Sequence, residues 1–558
     1  MRVIRKTGIV LGLIGLTLAG LARPGAVLAK DRDAVSRPRL VVVISIDQCR
    51  ADYMTRFADL YLPPRTADGV GGFRYLMERG AWYADCRYDH LRTVTAAGHA
   101  ILGTGAQPYL NGIVGNNWFD RATRKGVYCV DDPKSQVVGA QSGSVETPMS
   151  PANLLVTTVD DELELATGGA SRTVSISLKD RAAILMAGHR ADTVVWFDEM
   201  TSGWVSSSHY FPGGKLPAWV EKVNAAKDPD RLRAQPWKPS VSEEALRRVW
   251  KPKNGIATFS HELTGKDYLS FASSPAGNTF IFDTARAAVE AEALGQDATP
   301  DVLTLNLASN DYVGHRYGPD SAELLDITVA TDREISGFLN FLDKKVSGGL
   351  KNVTFAVSAD HGVVNVPELN TASGVPAGRS ITATAKAAAD AALDAQVGPA
   401  DWIASTDNGD FYFSEAALAA YPKEPRERLE RIAGDAAVKV KGVSMAYGRT
   451  AVFAGLVPHS DLGRRITHGV HPQRSGDVML ILEPQWLSGS APIGTGTSHG
   501  APYPYDTHVP LLVAGFGIRP DTYTQPTQPA QLAPTLALLL GVARPSGADA
   551  PLLPGVER

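Results

Sequence analysis

Leu40-Val41-Val42-Val43-Ile44-Ser45-Ile46 is an almost unbroken run of β-branched and aliphatic residues, and Asp47 follows it directly. Such a run offers no polar face to water. It reads as a strand covered on both sides, the kind that builds a parallel sheet. Similar runs recur at Thr173–Leu178, Val302–Leu307, Val353–Ser358, Val478–Leu482 and Val509–Ala514. Between them, Ser321–Asp343 places Leu324, Leu325, Ile327, Ile335, Phe338 and Leu342 at helical spacing, and Gln531–Leu540 is a second helix candidate. Strands alternating with helices predict an α/β fold with a doubly wound, mostly parallel sheet spanning most of the chain. Two stretches look different. Residues 205–290 are rich in Trp, Pro and Lys, and residues 366–475 hold Ala-rich helices, weak strands and Gly/Pro turns. Both are expected to be inserted cap segments forming walls over a site.

The remaining composition narrows the class. With 44 % hydrophobic and 20 % charged residues, the 558-residue chain is globular and is no coiled coil, collagen or disordered polymer. Its length allows two to four domains, or one large α/β domain carrying insertions. Lys and Arg number 55 against 59 Asp and Glu, a net charge of −4, so the basic excess that nucleic-acid binding needs is missing. The first 29 residues differ from the rest. Arg2, Arg5 and Lys6 precede a 15-residue apolar run, Gly8–Ala22, and a small-residue exit at Val27-Leu28-Ala29. This is the pattern of a secretory signal peptide cut after Ala29. The apolar run falls short of the ~20 residues of a membrane span. The mature chain, from residue 30 to 558, is expected to be soluble and periplasmic or secreted. Losing four basic residues takes its charge to about −8. In an oxidising compartment Cys86 and Cys129 could pair, an option that sequence leaves open, while Cys49 reads as a buried thiol. Oligomeric state carries no signal.

Acidic and histidine residues gather where the predicted strands end, which is where open α/β sheets bind ligands. Asp47 follows the first strand, Asp311 and His315 follow the Val302 strand, and Asp360-His361 follow the Val353 strand. His499 lies in the loop Gly494–Gly500. Singly, each could be a turn former or helix cap. Together, three carboxylates and three imidazoles suit two zinc ions. Leu91–His99 is a polar turn entering a helix-like segment, so the Thr95 hydroxyl would sit where free N–H groups favour anions, unless it serves only as a cap. Lys179 and Arg181 flank Asp180 and would point the same way in extended chain, although a solvated strand end explains such a pair equally well.

Seven motifs then stand in one order: Asp47-Gln48-Cys49-Arg50, Thr95-x-x-Gly98-His99, Gly112–Trp118, Lys179-x-Arg181, Asp311-x-x-x-His315, Asp360-His361-Gly362 and Thr497-x-His499-Gly500. The set resembles the alkaline phosphatase superfamily. Within it, the chain is most similar to the phosphate-irrepressible alkaline phosphatases with a threonine nucleophile, which are related to type I phosphodiesterases. The resemblance implies one zinc on Asp311, His315 and His499, and a second on Asp47, Asp360, His361 and the Thr95 oxygen; another divalent cation could replace either. It also implies Thr95 as nucleophile and Asn116, Lys179 and Arg181 as holders of the phosphoryl oxygens. Ala97 departs from the family's usual Pro, which affects the stiffness of the turn. Thr93 is a rival hydroxyl at the wrong spacing from Gly98-His99, and His99 reads as structural.

The implied activity is hydrolysis of small phosphate monoesters to inorganic phosphate and an alcohol through a phosphothreonine. Three other readings compete. A nucleotide pyrophosphatase/phosphodiesterase would share the ligands and the threonine but lack Lys-x-Arg. A sulfatase would need a Cys/Ser-x-Pro-x-Arg context that Cys49-Arg50-Ala51-Asp52 does not supply. An inactive exported metal-binding protein would have no use for the nucleophile.

Overall fold

The structure, a computed structural model, describes residues 37–249, 258–379, 381–488 and 493–557. The predicted leader and its cleavage site lie outside the described residues. A ten-stranded sheet organises the chain. Five neighbouring strands at its centre run parallel, in the order Val353–Ser358, Leu40–Ile46, Asp301–Leu307, Thr173–Ser177 and Thr193–Asp198. Every residue of Leu40–Ile46 is buried, which is why its sequence shows no alternation. Helices Pro275–Ala291 and Ala322–Lys345 pack together, with Pro275–Ala291 against strands Asp301–Leu307 and Thr173–Ser177. Helices Thr95–Thr104 and Asp180–Ala187 form another packed pair, and Leu532–Leu540 lies against Thr95–Thr104.

The edges depart from the parallel expectation. Leu512–Gly515, read from sequence as part of a longer run from Val509, pairs antiparallel with Val353–Ser358. Thr193–Asp198 is a central strand with no counterpart in the sequence reading, and Gly203–Ser207 returns antiparallel beside it. The run Val478–Leu482 is a strand outside the large sheet. It pairs antiparallel with Asp410–Phe413 and Val443–Gly448 in a separate four-stranded sheet. Its apolar run is buried by a different core, built from Trp402, Phe411, Phe413, Leu429 and Trp486. Residues 366–475 thus hold most of this small sheet and its helices. The 205–290 stretch is mixed: its last part is the helix Pro275–Ala291 of the main layer.

Asp477, fully buried at the start of the small sheet, meets Arg121 at 3.1 Å, Arg426 at 3.1 Å and Arg449 at 3.2 Å. Arg121 sits in the turn of the hairpin Asn117–Asp120/Lys125–Tyr128, so this cluster ties the hairpin to the small sheet. Cys49, Cys86 and Cys129 are all buried free thiols. Cys86 and Cys129 are not bridged: Cys86 packs in the main core and Cys129 in a second hydrophobic cluster. Among the described residues no helix is long and apolar enough to cross a membrane.

Candidate active site

The carboxyl ends of the parallel strands deliver the charged residues to one place. Asp47 directly follows Ile46, Lys179 stands two residues beyond Ser177, and Asp360-His361 follow Ser358 and Ala359. Asp311 and His315 lie one turn apart on helix Ser309–Tyr317, which follows Leu307. His499 arrives from the loop before helix Pro504–Thr507. Asp47, Asp311, Asp360, Lys179 and His361 are all buried.

The three histidines share one arrangement. His315 Nδ1 donates to the Thr497 carbonyl at 2.8 Å, His361 Nδ1 to the Gly362 carbonyl at 2.9 Å, and His499 Nδ1 to the Thr93 carbonyl at 2.8 Å. Each ring therefore carries its proton on Nδ1 and turns a bare Nε2 toward the carboxylates, as metal-binding imidazoles do. His315 Nε2 lies 3.2 Å and His499 Nε2 3.8 Å from Asp311 Oδ1. His361 Nε2 lies 3.2 Å from Asp360 Oδ2 and 3.7 Å from Asp47 Oδ1. Asp47 Oδ1, Asp360 Oδ2 and His361 Nε2 are buried without a hydrogen-bond partner. Acceptors facing acceptors in a buried site need cations between them. The donor set fits divalent metal.

Two groups converge closely enough to grip an ion: Asp311 with His361 and His499, and Asp47 with His99 and Asp360. His361, expected with Asp47 and Asp360, thus stands between both groups, its ring stacked on His499 at 3.5 Å. His99 cannot use its place. Its Nδ1 donates to the Thr95 carbonyl at 2.8 Å and its Nε2 accepts from Asn306 Nδ2 at 2.9 Å, so both ring nitrogens are engaged.

Titration follows from this geometry. Burial holds His361 down to about 3, and burial together with the neighbouring histidines holds His499 well below the ordinary range. Both rings stay neutral with lone pairs available. Burial opposes a charge on His315, but Asp311 outweighs it and raises its pKa. Burial and the Asp47 charge push Asp360 well above the usual carboxylate range.

Thr95 is the first residue of helix Thr95–Thr104, with Val94 as an N-cap that has no side-chain bond. The hydroxyl is therefore not consumed as a cap. Arg181 Nη2 donates to Thr95 Oγ1 at 3.5 Å. Asn116 Oδ1 accepts from the Ala96 N–H at 2.9 Å, which leaves its NH2 group for another partner. Thr93 Oγ1 instead donates to the Ala501 carbonyl at 2.9 Å, so the rival hydroxyl is occupied. Lys179 Nζ bridges two carboxylates, 2.9 Å from Asp47 Oδ2 and 2.5 Å from Asp311 Oδ2. Lys179 and Arg181 do reach one site, but not as alternate residues of a strand. Lys179 is the extended cap residue and Arg181 lies in the first turn of helix Asp180–Ala187.

Sequence reasoning missed several supporting side chains. Gln48, at a left-handed φ of 65°, donates Nε2 to Asp311 Oδ1 at 2.6 Å and its backbone N–H to Asp360 Oδ1 at 3.1 Å. Asn306 donates to His99 and, at 3.4 Å, to Asp47 Oδ2. Tyr128 donates to Asp180 Oδ1 at 2.6 Å and accepts from Arg181 Nη1 at 3.1 Å, fixing the guanidinium. Uncharged amides and a lone tyrosine carry no spacing signal. Gln48 alone had a cue, its place beside Asp47 in the first motif. A cavity of about 260 Å³ opens beside the site, its lining including Asn116, His315 and His499 together with Leu482, Trp486 and Ser488 of the small-sheet region.

The sequence profile of the type I phosphodiesterase/nucleotide pyrophosphatase family matches residues 41–502. The chain is 36 % identical over 526 residues to alkaline phosphatase PhoV of Synechococcus elongatus, covering 92 % of each chain. It is 35 % identical over 544 residues to alkaline phosphatase PafA of Elizabethkingia meningoseptica, covering 95 % of this chain and 96 % of that one. The crystal structure of wild-type PafA is similar at a TM-score of 0.86 and 34 % identity, over 94 % of this chain and 100 % of that chain.

Proposed function

The chain belongs to the type I phosphodiesterase/nucleotide pyrophosphatase family, and we propose that within it this protein is an alkaline phosphatase. It hydrolyses phosphate monoesters to inorganic phosphate and an alcohol through a phosphothreonine on Thr95. The observation that carries this reading is the meeting of an uncapped helix-start hydroxyl, Thr95, with Arg181 at 3.5 Å beside a double set of carboxylate and imidazole ligands. Full-length likeness to PhoV and PafA supports it.

Asp311, His315 and His499 would hold one zinc, and Asp47, Asp360 and His361 a second beside the Thr95 hydroxyl. When bound, these ions supply Lewis acidity that lowers the pKa of a hydroxyl or water and offsets charge on a departing oxygen. The chain's own residues do the rest. Thr95 Oγ1 gives up its proton and attacks phosphorus, the bond from phosphorus to the alcohol oxygen breaks, that oxygen takes up a proton and departs as the alcohol, and the phosphoryl group rests on Thr95. Water then attacks phosphorus, freeing inorganic phosphate and restoring the hydroxyl. The transition state is loose and spreads charge over three equatorial oxygens. Arg181, held by Tyr128, and the free NH2 of Asn116 meet those oxygens. Lys179 adds positive charge. A dianionic monoester gains more from Lys179 and Arg181 than a diester, which carries one charge less.

The leader pattern at residues 1–29 supports export, with residues 30–558 as the mature catalytic domain carrying the 366–475 insertion over its site. Outside the cytoplasm such an enzyme releases phosphate without attacking the cell's own esters. The test compares turnover of an aryl phosphate monoester and the matching diester, with and without chelator. Monoester preference lost on chelation is expected. A diester preference would make the protein a phosphodiesterase, and chelator-resistant turnover would remove the metals.

A further inference from the structure

The backbone around Asn116 is gripped from outside the main sheet. Asn116 Oδ1 accepts from the Ala96 N–H at 2.9 Å, and its carbonyl accepts from the Cys129 N–H at 2.9 Å where the hairpin closes. Asn117 then starts the hairpin strand Asn117–Asp120. Asn408 lies in the short turn Asp407–Gly409, which leads into the small-sheet strand Asp410–Phe413, and it reaches both neighbours of Asn116. Its Nδ2 donates to the Asn117 carbonyl at 2.5 Å. It also lies so close to Gly115 that a Cβ there would come 2.3 Å from Asn408 Nδ2 and 2.7 Å from its Cγ. One amide side chain therefore spans the three residues Gly115, Asn116 and Asn117, and Asn408 and Asn116 line the same cavity.

Asn408 itself stands on a stiff mount. It holds a left-handed φ of 55°, which asparagine tolerates better than most residues. Two residues on, Asp410 is ion-paired with Arg92, and both side chains are about nine-tenths buried. Arg92 also donates to the Leu480 carbonyl at 3.1 Å, in the strand Val478–Leu482. Arg92 stands three residues before Thr95, at a left-handed φ of 71°. The turn thus holds the segment before the nucleophile through Asp410 and the segment around Asn116 through Asn408. A donor that meets developing charge is effective only when it is held in place beforehand.

We propose that Asn408 is a positioning residue for Asn116: through Gly115 and the Asn117 carbonyl it sets where the free NH2 of Asn116 meets the phosphoryl group. The proposal rests on the role given to Asn116 above. Its test is a double-mutant cycle on the holoenzyme, read as kcat/KM for an aryl phosphate monoester. Asn408→Gly keeps the left-handed turn and removes the amide. Asn408→Asp keeps the shape and replaces the donor by an acceptor facing the Asn117 carbonyl. Each should lower kcat/KM about tenfold at unchanged metal content, a part of the 10²–10³-fold that losing such a donor outright costs. In the Asn116→Ala background the same changes should cost less than about twofold, because the side chain they act through is already gone. A merely structural role would give equal losses in both backgrounds. A tenfold loss that persists in Asn116→Ala, or single variants within about twofold of wild type, would overturn the proposal. Asn116→Ala at wild-type kcat/KM, or a wild type inert to monoesters, would instead defeat the reading on which it rests.

Discussion

Replacing Gly98 by alanine should cost far more activity than stability. Gly98 lies one turn into helix Thr95–Thr104, and a Cβ there would sit 2.2 Å from the Asp360 carbonyl oxygen and 2.7 Å from the Asp360 carbonyl carbon and Cα. These are backbone atoms at the end of the strand Val353–Ser358, so no rotamer change relieves the clash. Ordinary contact begins at 3.4 Å, so the helix start must retreat by about 1 Å. Overpacking of this kind costs ~1–3 kcal/mol, partly offset by the ~1 kcal/mol gain of alanine over glycine in a helix. The retreat, however, carries the Thr95 hydroxyl away from Asp360 and His361. A 1 Å misplacement of a reacting group costs about 10²-fold in rate. The assay is kcat/KM for an aryl phosphate at matched metal content, beside the urea midpoint. A loss of about two orders of magnitude with a modest midpoint shift is expected. A folded Gly98→Ala variant with kcat/KM within about twofold of wild type would refute the claim that this contact sets the nucleophile.

Arg181→Ala should lower monoester kcat/KM by about 10²–10³-fold and diester kcat/KM by less, so the monoester-to-diester ratio reports the loss; an unchanged ratio would argue against Arg181 as a phosphoryl clamp. Thr93→Val removes a buried hydrogen bond to Ala501 and should cost about 1 kcal/mol in urea titration while keeping turnover, in contrast to Thr95→Ala. His468 Nδ1 lies 3.2 Å from Asp89 Oδ2. Burial opposes its charge, but Asp89 wins and raises its pKa above the ordinary 6.5. A raised histidine stabilises the fold below its unfolded pKa, and that contribution fades as pH rises through the folded value. His468→Gln should therefore lower the unfolding free energy from urea titration by about 1 kcal/mol near pH 6 and by little near pH 9; equal loss at both would leave the ion pair without effect.

Much of this molecule was legible because its strongest signals are local. Leu40–Ile46 reads as a buried strand because no position along it faces water, and a carboxylate just past a strand end is already near the site. What a run of residues pairs with is not local. Val478–Leu482 is as apolar as the central strands, and only its partners, Asp410–Phe413 and Val443–Gly448, place it in the small sheet. Lys179 and Arg181 were matched to one site through the motif, yet the extended-chain argument for it fails, since a helix begins between them. Cys86 and Cys129 seemed able to pair on compartment grounds, but they are packed into separate clusters. Gln48 and Asn306 join the ligands through hydrogen bonds across more than 250 residues of chain, and an amide has no charge or spacing to announce such a role.

The account rests on Thr95 carrying the phosphoryl group. Mixing the holoenzyme with a monoester labelled on phosphorus, quenching in acid within a turnover and mapping the labelled peptide tests that directly. The label should appear on the peptide containing Thr95 in the wild type and in Thr93→Val, and should vanish with turnover in Thr95→Ala. Full turnover by Thr95→Ala, or label on any other residue, would contradict it.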